Sequence, residues 1–159
     1  MSKLAATLVA CLAVLATLSP AAFANSQAGY RIQTTASDFE TALFGLENAI
    51  VNRGLVIDSQ GHVGKMLERT SKATGGESPY LGARYLNFCS AKLSQTAMQA
   101  DPDNLAVCPY TMFVYELKSE PGKARIGYRR PHTSAAPASK KALAAIDALL
   151  SALMKEAVQ

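Results

Sequence analysis

Apolar residues recur along this chain with two different periods, and the switches between them cut it into short elements. Tyr30–Thr34 alternates as a strand does. Ser37-Asp38-Phe39-Glu40 then has the spacing of a capping box, with Ser37 accepting from a free helix N–H and Glu40 reaching back. The helix it opens carries Phe39, Leu43, Leu46 and Ile50 on one stripe and stops near Gly54, a residue suited to a left-handed cap. Leu55-Val56-Ile57 reads as a second strand. A helix over Val63–Lys72 follows, with Val63, Met66 and Leu67 on its apolar side and Lys65, Glu68 and Arg69 facing water. Thr74–Gly82, interrupted by glycines and Pro79, reads as a loop. Arg84–Cys89 reads as a strand, and Leu93–Gln99 as a brief helix ended by Asp101-Pro102. Tyr110–Leu117 and Ala124–Arg130 form the clearest hairpin, turning at Glu120-Pro121-Gly122-Lys123, with Phe113, Tyr115 and Leu117 on one face. From Ser139, a cap by type, to about Lys155, the residues Leu143, Ile146, Leu150 and Leu153 recur with helical period, and Asp147, Ser151 and Glu156 make that helix amphipathic. The order β-α-β-α-β-α-β-β-α predicts an α+β fold: a mixed β-sheet with a C-terminal β-hairpin, and helices packed on one or both faces.

The first residues belong to a different pattern. Lys3 leads into the apolar run Leu4–Leu18, a helix-breaking Pro20 and the small-residue sequence Ala22-Phe23-Ala24, the layout of a signal peptide cleaved after Ala24. The run is shorter than the roughly 20 residues of a spanning helix, so no stable membrane span is expected after cleavage. Leu8-Val9-Ala10-Cys11 resembles a lipoprotein acylation box, but the cysteine falls inside the apolar run rather than at its end. Subtracting Met1–Ala24 changes the composition. The chain of 159 residues is 49% hydrophobic with a formal charge of +4; without the leader, whose one charged residue is Lys3, the charge is +3, and residues 25–159 are left as a single domain. A mild positive charge is no nucleic-acid signature. The expected location is periplasmic or secreted, and the two cysteines that remain, Cys89 and Cys108, are expected to pair there as a disulfide.

Three stretches carry more than pattern: Gly61-His62-Val63-Gly64-Lys65-Met66-Leu67-Glu68-Arg69-Thr70; FCSAKLSQTAMQADP from Phe88 to Pro102; and CPYTMFVYE from Cys108 to Glu116, continuing to IGYRRP at Ile126–Pro131. Together they resemble the exported branch of an uncharacterised bacterial family, domain of unknown function 302, over roughly Phe39 to Pro131. The resemblance implies an α+β domain, often exported, that forms dimers. It implies no activity.

Candidate chemistry is sparse. A Cys89–Cys108 bridge would close a loop of about 20 residues, worth on the order of 3 kcal/mol; without Cys-x-x-Cys spacing, an electron shuttle has little support. His62 and Met66, four apart at the start of a predicted helix, would project from one face. With Cys89 and Cys108 they make a soft ligand set suited to copper, and His with Met is also a pair for non-covalent haem. The competing reading makes His62 a cap and Met66 core; His132, beside Pro131, is expected in a solvated loop. Arg129 or Arg130, with Arg84 or Arg69 nearby, is a candidate anion site, though alternation puts Arg125 and Arg129 on one face and Arg130 on the other. With Lys123 these charges also suit a solvated edge strand. Asp101 and Asp103, flanking Pro102, read as turn caps rather than a carboxylate pair. No Gly-x-Ser-x-Gly, His-Glu-x-x-His or phosphate-cradling glycine loop occurs, so no catalytic residue is assigned. The expected function is an exported, non-enzymatic domain that binds a small ligand or a periplasmic protein partner, stabilised by its disulfide and forming a homodimer. The alternatives are a periplasmic redox or metal- and haem-handling protein using Cys89, Cys108, His62 and Met66, and an enzyme with a cysteine nucleophile.

Overall fold

The computed structural model describes residues 29–158; the expected leader, Met1–Ala24, lies outside them. Five strands form one sheet: β1 (Tyr30–Thr34), β2 (Ile57–Gly61), β3 (Tyr80–Phe88), β4 (Tyr110–Leu117) and β5 (Ala124–Arg129), in the order β1-β5-β4-β3-β2. All four neighbouring pairs are antiparallel, so the sheet is not mixed as expected. The cause is the first connection. Helix α1 (Phe39–Asn52) carries the chain across the whole sheet, so β1 and β2 run the same way but sit on opposite edges with three strands between them.

Four α-helices accompany the sheet: α1, α2 (Val63–Thr74), α3 (Ala91–Ala100) and α4 (Pro137–Glu156), with a 3-10 helix at Pro102–Val107. The stripe of α1 is buried as its period requires, with Leu43, Leu46, Ala49 and Ile50 inside. Its cap is Asp38 rather than Ser37: the Asp38 carboxylate accepts the Thr41 N–H at 2.8 Å, and that bond holds the carboxyl below its ordinary pKa. The N–H of Phe39 goes instead to Glu116, 2.7 Å away in β4. Helices α1 and α4 pack against the same sheet face, where Leu46, Ile50, Ile146 and Leu150 join Leu86, Met112, Val114 and Ile126 in one core.

Several boundaries differ from the sequence reading, each for a local reason. The second strand is Ile57–Gly61, not Leu55–Ile57; as an outer strand it needs little apolar surface, and Asp58, Ser59 and Gln60 are exposed. β3 begins at Tyr80, inside the stretch read as a loop, and Gly82 there leaves room for the ring of Phe39, which an added Cβ would overlap. Ser139 is not a cap. It lies inside α4, fully buried, and accepts from Asn104 Nδ2 at 2.9 Å, while the same amide donates to the Ala97 carbonyl at 2.8 Å. Asn104 thereby ties the 3-10 helix to α3 and α4. In α2 no residue is buried and Met66 is 45% exposed, so the helix offers no stripe to the core. It lies instead against β3, where Gly64 allows close approach to the Ala83 backbone, and Gly75 ends it in the left-handed conformation.

The hairpin of β4 and β5 keeps the register read from sequence. Phe113, Tyr115 and Leu117 do share a face, but it is the face that α1 and α4 leave free; Tyr110, Met112, Val114 and Glu116 point into the core. Among the described residues, no helix is long and apolar enough to cross a membrane.

Candidate functional site: the open face of the sheet

Strand alternation puts a second apolar set on the side that α1 and α4 leave free. The register builds it in rows across the sheet. One row holds Ser59, Asn87 and Thr111 and continues to Arg129 and Tyr30; the next holds Gly61, Tyr85, Phe113, Gly127 and Ile32; a third holds Ala83, Tyr115, Arg125 and Thr34. The two glycines shape this surface. A Cβ at Gly61 would fall within the ring of Tyr85, and one at Gly127 would meet the ring of Phe113, so both rings lie over neighbouring strands instead of standing away from the sheet.

The result is a shallow, aromatic-floored depression of about 510 Å3, within the range of roughly 300–1,000 Å3 usual for small-molecule sites. Tyr80 meets Tyr115 edge-on at 5.5 Å between centroids, and Phe113 stacks on Tyr115 at 6.3 Å with 24° between planes. Arg125 lies 5.7 Å from the Tyr115 ring centroid and pairs with Glu120. Val63, from the first turn of α2, closes one side. Tyr30, Ile32 and Tyr85 are 50%, 39% and 37% exposed, a large commitment of apolar surface to water for one sheet face.

The arginines singled out in the sequence separate as alternation predicts. Arg129 stands on the open face at the end of the polar row and lines the depression, with no ion pair or side-chain hydrogen bond among the described residues. Arg130 turns to the helix side, its Nε 3.7 Å from Asp147, a carboxylate that also accepts from the Tyr128 hydroxyl at 3.1 Å and from Arg31 at 3.5 Å. Burial, then the charge of Asp147, pushes the Tyr128 phenol up to about 12. Arg84 is held by Gln60 at 3.3 Å and lies 3.8 Å from Glu47, and Arg69 is exposed on α2. Arg129 and Arg130 therefore point to opposite faces of the sheet and meet only at the rim of a second depression, which Asp103 also lines.

Cys89 and Cys108 are bonded to each other, with Cα atoms 6.3 Å apart, so the bridge spans the 19 positions that hold α3 and the 3-10 helix. Ser94 Oγ lies 3.5 Å from the Cys108 sulfur and 2.8 Å from the hydroxyl of buried Tyr110, whose pKa is raised chiefly by burial. The soft-ligand set does not come together. His62, at the N-cap of α2 but making no side-chain capping bond, and Met66 in its first turn are exposed beyond the end of β2, where Gly61 faces Tyr85, whereas Cys89 follows the last residue of β3, about 13 Å along the strand from Tyr85. Side-by-side neighbours on one helix face also cannot straddle a single haem iron. Among the described residues no three His, Cys, Asp or Glu side chains are grouped to hold a metal ion. His132 is exposed at the second depression, with Arg129, Arg130 and Asp103.

Alternation puts Phe113 and Tyr115 on one face of the hairpin but does not say which face the helices leave open, so the aromatic floor is not evident from it. The available signal was that residues of both parities in the hairpin are apolar, so both faces of β4 are, while glycines interrupt the facing positions of β2 and β5.

The fold and this face define an α+β domain with one helix-covered and one open, aromatic sheet surface. The chain belongs to the family Domain of unknown function DUF302, whose model matches residues 30–159. The uncharacterized conserved protein DUF302 from Bacillus stearothermophilus, known from a crystal structure, is similar in fold: the TM-score is 0.66 at 16% sequence identity, covering 83% of this chain and 99% of that one. No curated protein matches the chain.

Proposed function

We propose that this chain is an exported, non-enzymatic domain that receives a small planar aromatic molecule on the open face of its sheet. The observation that carries the reading is the depression of about 510 Å3 floored by Tyr85, Phe113 and Tyr115. Rings laid over Gly61 and Gly127 offer π-faces to a flat guest, and offset stacking of aromatic rings is worth about 0.5–1.5 kcal/mol beyond the area it buries. The signal-peptide pattern of Met1–Ala24 and the Cys89–Cys108 bridge support a periplasmic or secreted location, because disulfides persist in oxidising compartments.

The test uses N-phenyl-1-naphthylamine, a neutral aromatic probe that brightens in apolar sites, on the protein lacking residues 1–24, with light scattering on the same sample. Saturable brightening at one probe per chain, lost in Tyr85→Lys and Phe113→Asp, is the expected result. A protein that leaves the probe dark overturns the proposal. A two-chain mass in that case assigns the face to a second copy instead.

A further inference from the structure

We propose that the molecule received on the open face is an aromatic carboxylate, with Arg129 as its anion partner. The inference rests on the reading of that face as a ligand site and adds the charge of the guest.

Three observations carry it. First, the arginines of the sheet are otherwise spoken for. Arg31 lies 3.5 Å from Asp147, Arg84 lies 3.8 Å from Glu47, and Arg125 pairs with Glu120; among the strand arginines Arg129 alone forms no ion pair among the described residues. Second, no Asp or Glu lines the depression, and its two cations are Arg84, occupied on the helix side, and Arg129. Third, the polar row leading to Arg129 is satisfied within itself: Asn87 donates to Ser59 at 3.2 Å and accepts from Thr111 at 2.9 Å. The row therefore presents one uncommitted charge at the margin of an apolar floor.

The spacing favours a carboxylate borne on the ring system itself. Arg129 neighbours Thr111, and Phe113 is two residues further along β4, about 7 Å away, roughly the span of one or two fused rings. A planar guanidinium can hold a carboxylate through two parallel N–H···O bonds, and that fork also fixes the plane of a conjugated guest over the rings.

The experiment compares 2-naphthoate with 2-naphthamide, an uncharged molecule of the same shape, by calorimetry at low salt. The wild-type protein is expected to bind the carboxylate roughly tenfold more tightly, a difference of about 1.4 kcal/mol. Arg129→Gln is expected to bring the two affinities together, and Arg129→Lys to keep part of the preference while losing the fork. Equal affinities in the wild type, or a preference that survives Arg129→Gln, would overturn the inference and leave the aromatic site standing. Failure of both naphthalenes to bind would overturn the inference and the site together. The wild-type comparison decides the matter even if a variant does not fold.

Discussion

The two faces of this sheet are built from alternate residues of the same strands, and they have opposite fates. On one face Ile126 in β5 is wholly buried under helices; on the other Ile32, in the adjoining β1, is 39% exposed. Both faces carry large apolar side chains, although the open one also holds a polar row and Arg125. What distinguishes them is the supply of helices. α1 and α4 bring continuous apolar stripes, while α2 buries no residue and lies along β3. Two striped helices cover one face of a five-stranded sheet, and the apolar surface of the other face stays partly exposed among the described residues.

The most direct way to break that comparison is to make the same substitution on each side. Ile126→Ala is expected to cost about 2–5 kcal/mol, since it opens a cavity under close-packed helices, whereas Ile32→Ala should cost about 1 kcal/mol or less in urea unfolding. Equal losses would mean that the open face is part of the folding core. Next in size is the crosslink: replacing Cys89 and Cys108 together by Ser should remove on the order of 3 kcal/mol without disturbing probe binding at the aromatic floor. Glu116→Ala comes third. This carboxylate, 5% exposed on the covered face, accepts the Phe39 N–H and the Gly122 N–H, both at 2.7 Å, and so ties the start of α1 to the hairpin turn. Its removal should cost roughly 1.5–3 kcal/mol, read as a lower urea midpoint.

The smallest effect concerns pH. Tyr128, also on the covered face, keeps its proton in the folded state up to about 12, against 10.0 for the free group. The folded state therefore holds more protons than the unfolded chain across that window. The contribution is complete below pH 10 and is lost as pH rises from about 10 towards 12. Urea midpoints measured from pH 9 to 12 should fall less steeply in Tyr128→Phe; an unchanged slope would show that Tyr128 does not set the alkaline limit.

Much of this was legible in the chain and some was not. The period-3.6 stripes of α1 and α4 and the alternation of the β4–β5 hairpin are long enough to be read directly, and with Met1–Ala24 read as a leader the pairing of Cys89 with Cys108 needs only counting. β2 escaped because an outer strand need not be apolar, and the start of β3 escaped because Gly82 looks like a breaker while serving as space for Phe39. At the candidate site, the separation of Arg129 from Arg130 follows from alternation alone. The solitude of Arg129 does not, because it depends on where Asp147, Glu47 and Glu120 come to rest, and these lie far away in sequence or across a turn.

By itself, then, the sequence determined the elements with strong period, the α+β class, the cysteine pair and the parity of every side chain on the hairpin, since these depend on local geometry and spacing. The tertiary structure decided that the sheet is antiparallel throughout, that Ser139 and Glu116 are interior ties rather than surface groups, and that the Phe113 face is open. Those outcomes depend on which helix crosses which strand, and the count of apolar residues is the same whichever face is covered. Only the docking of α1 and α4 on one side leaves three aromatic rings and one guanidinium, unpaired among the described residues, facing outward together.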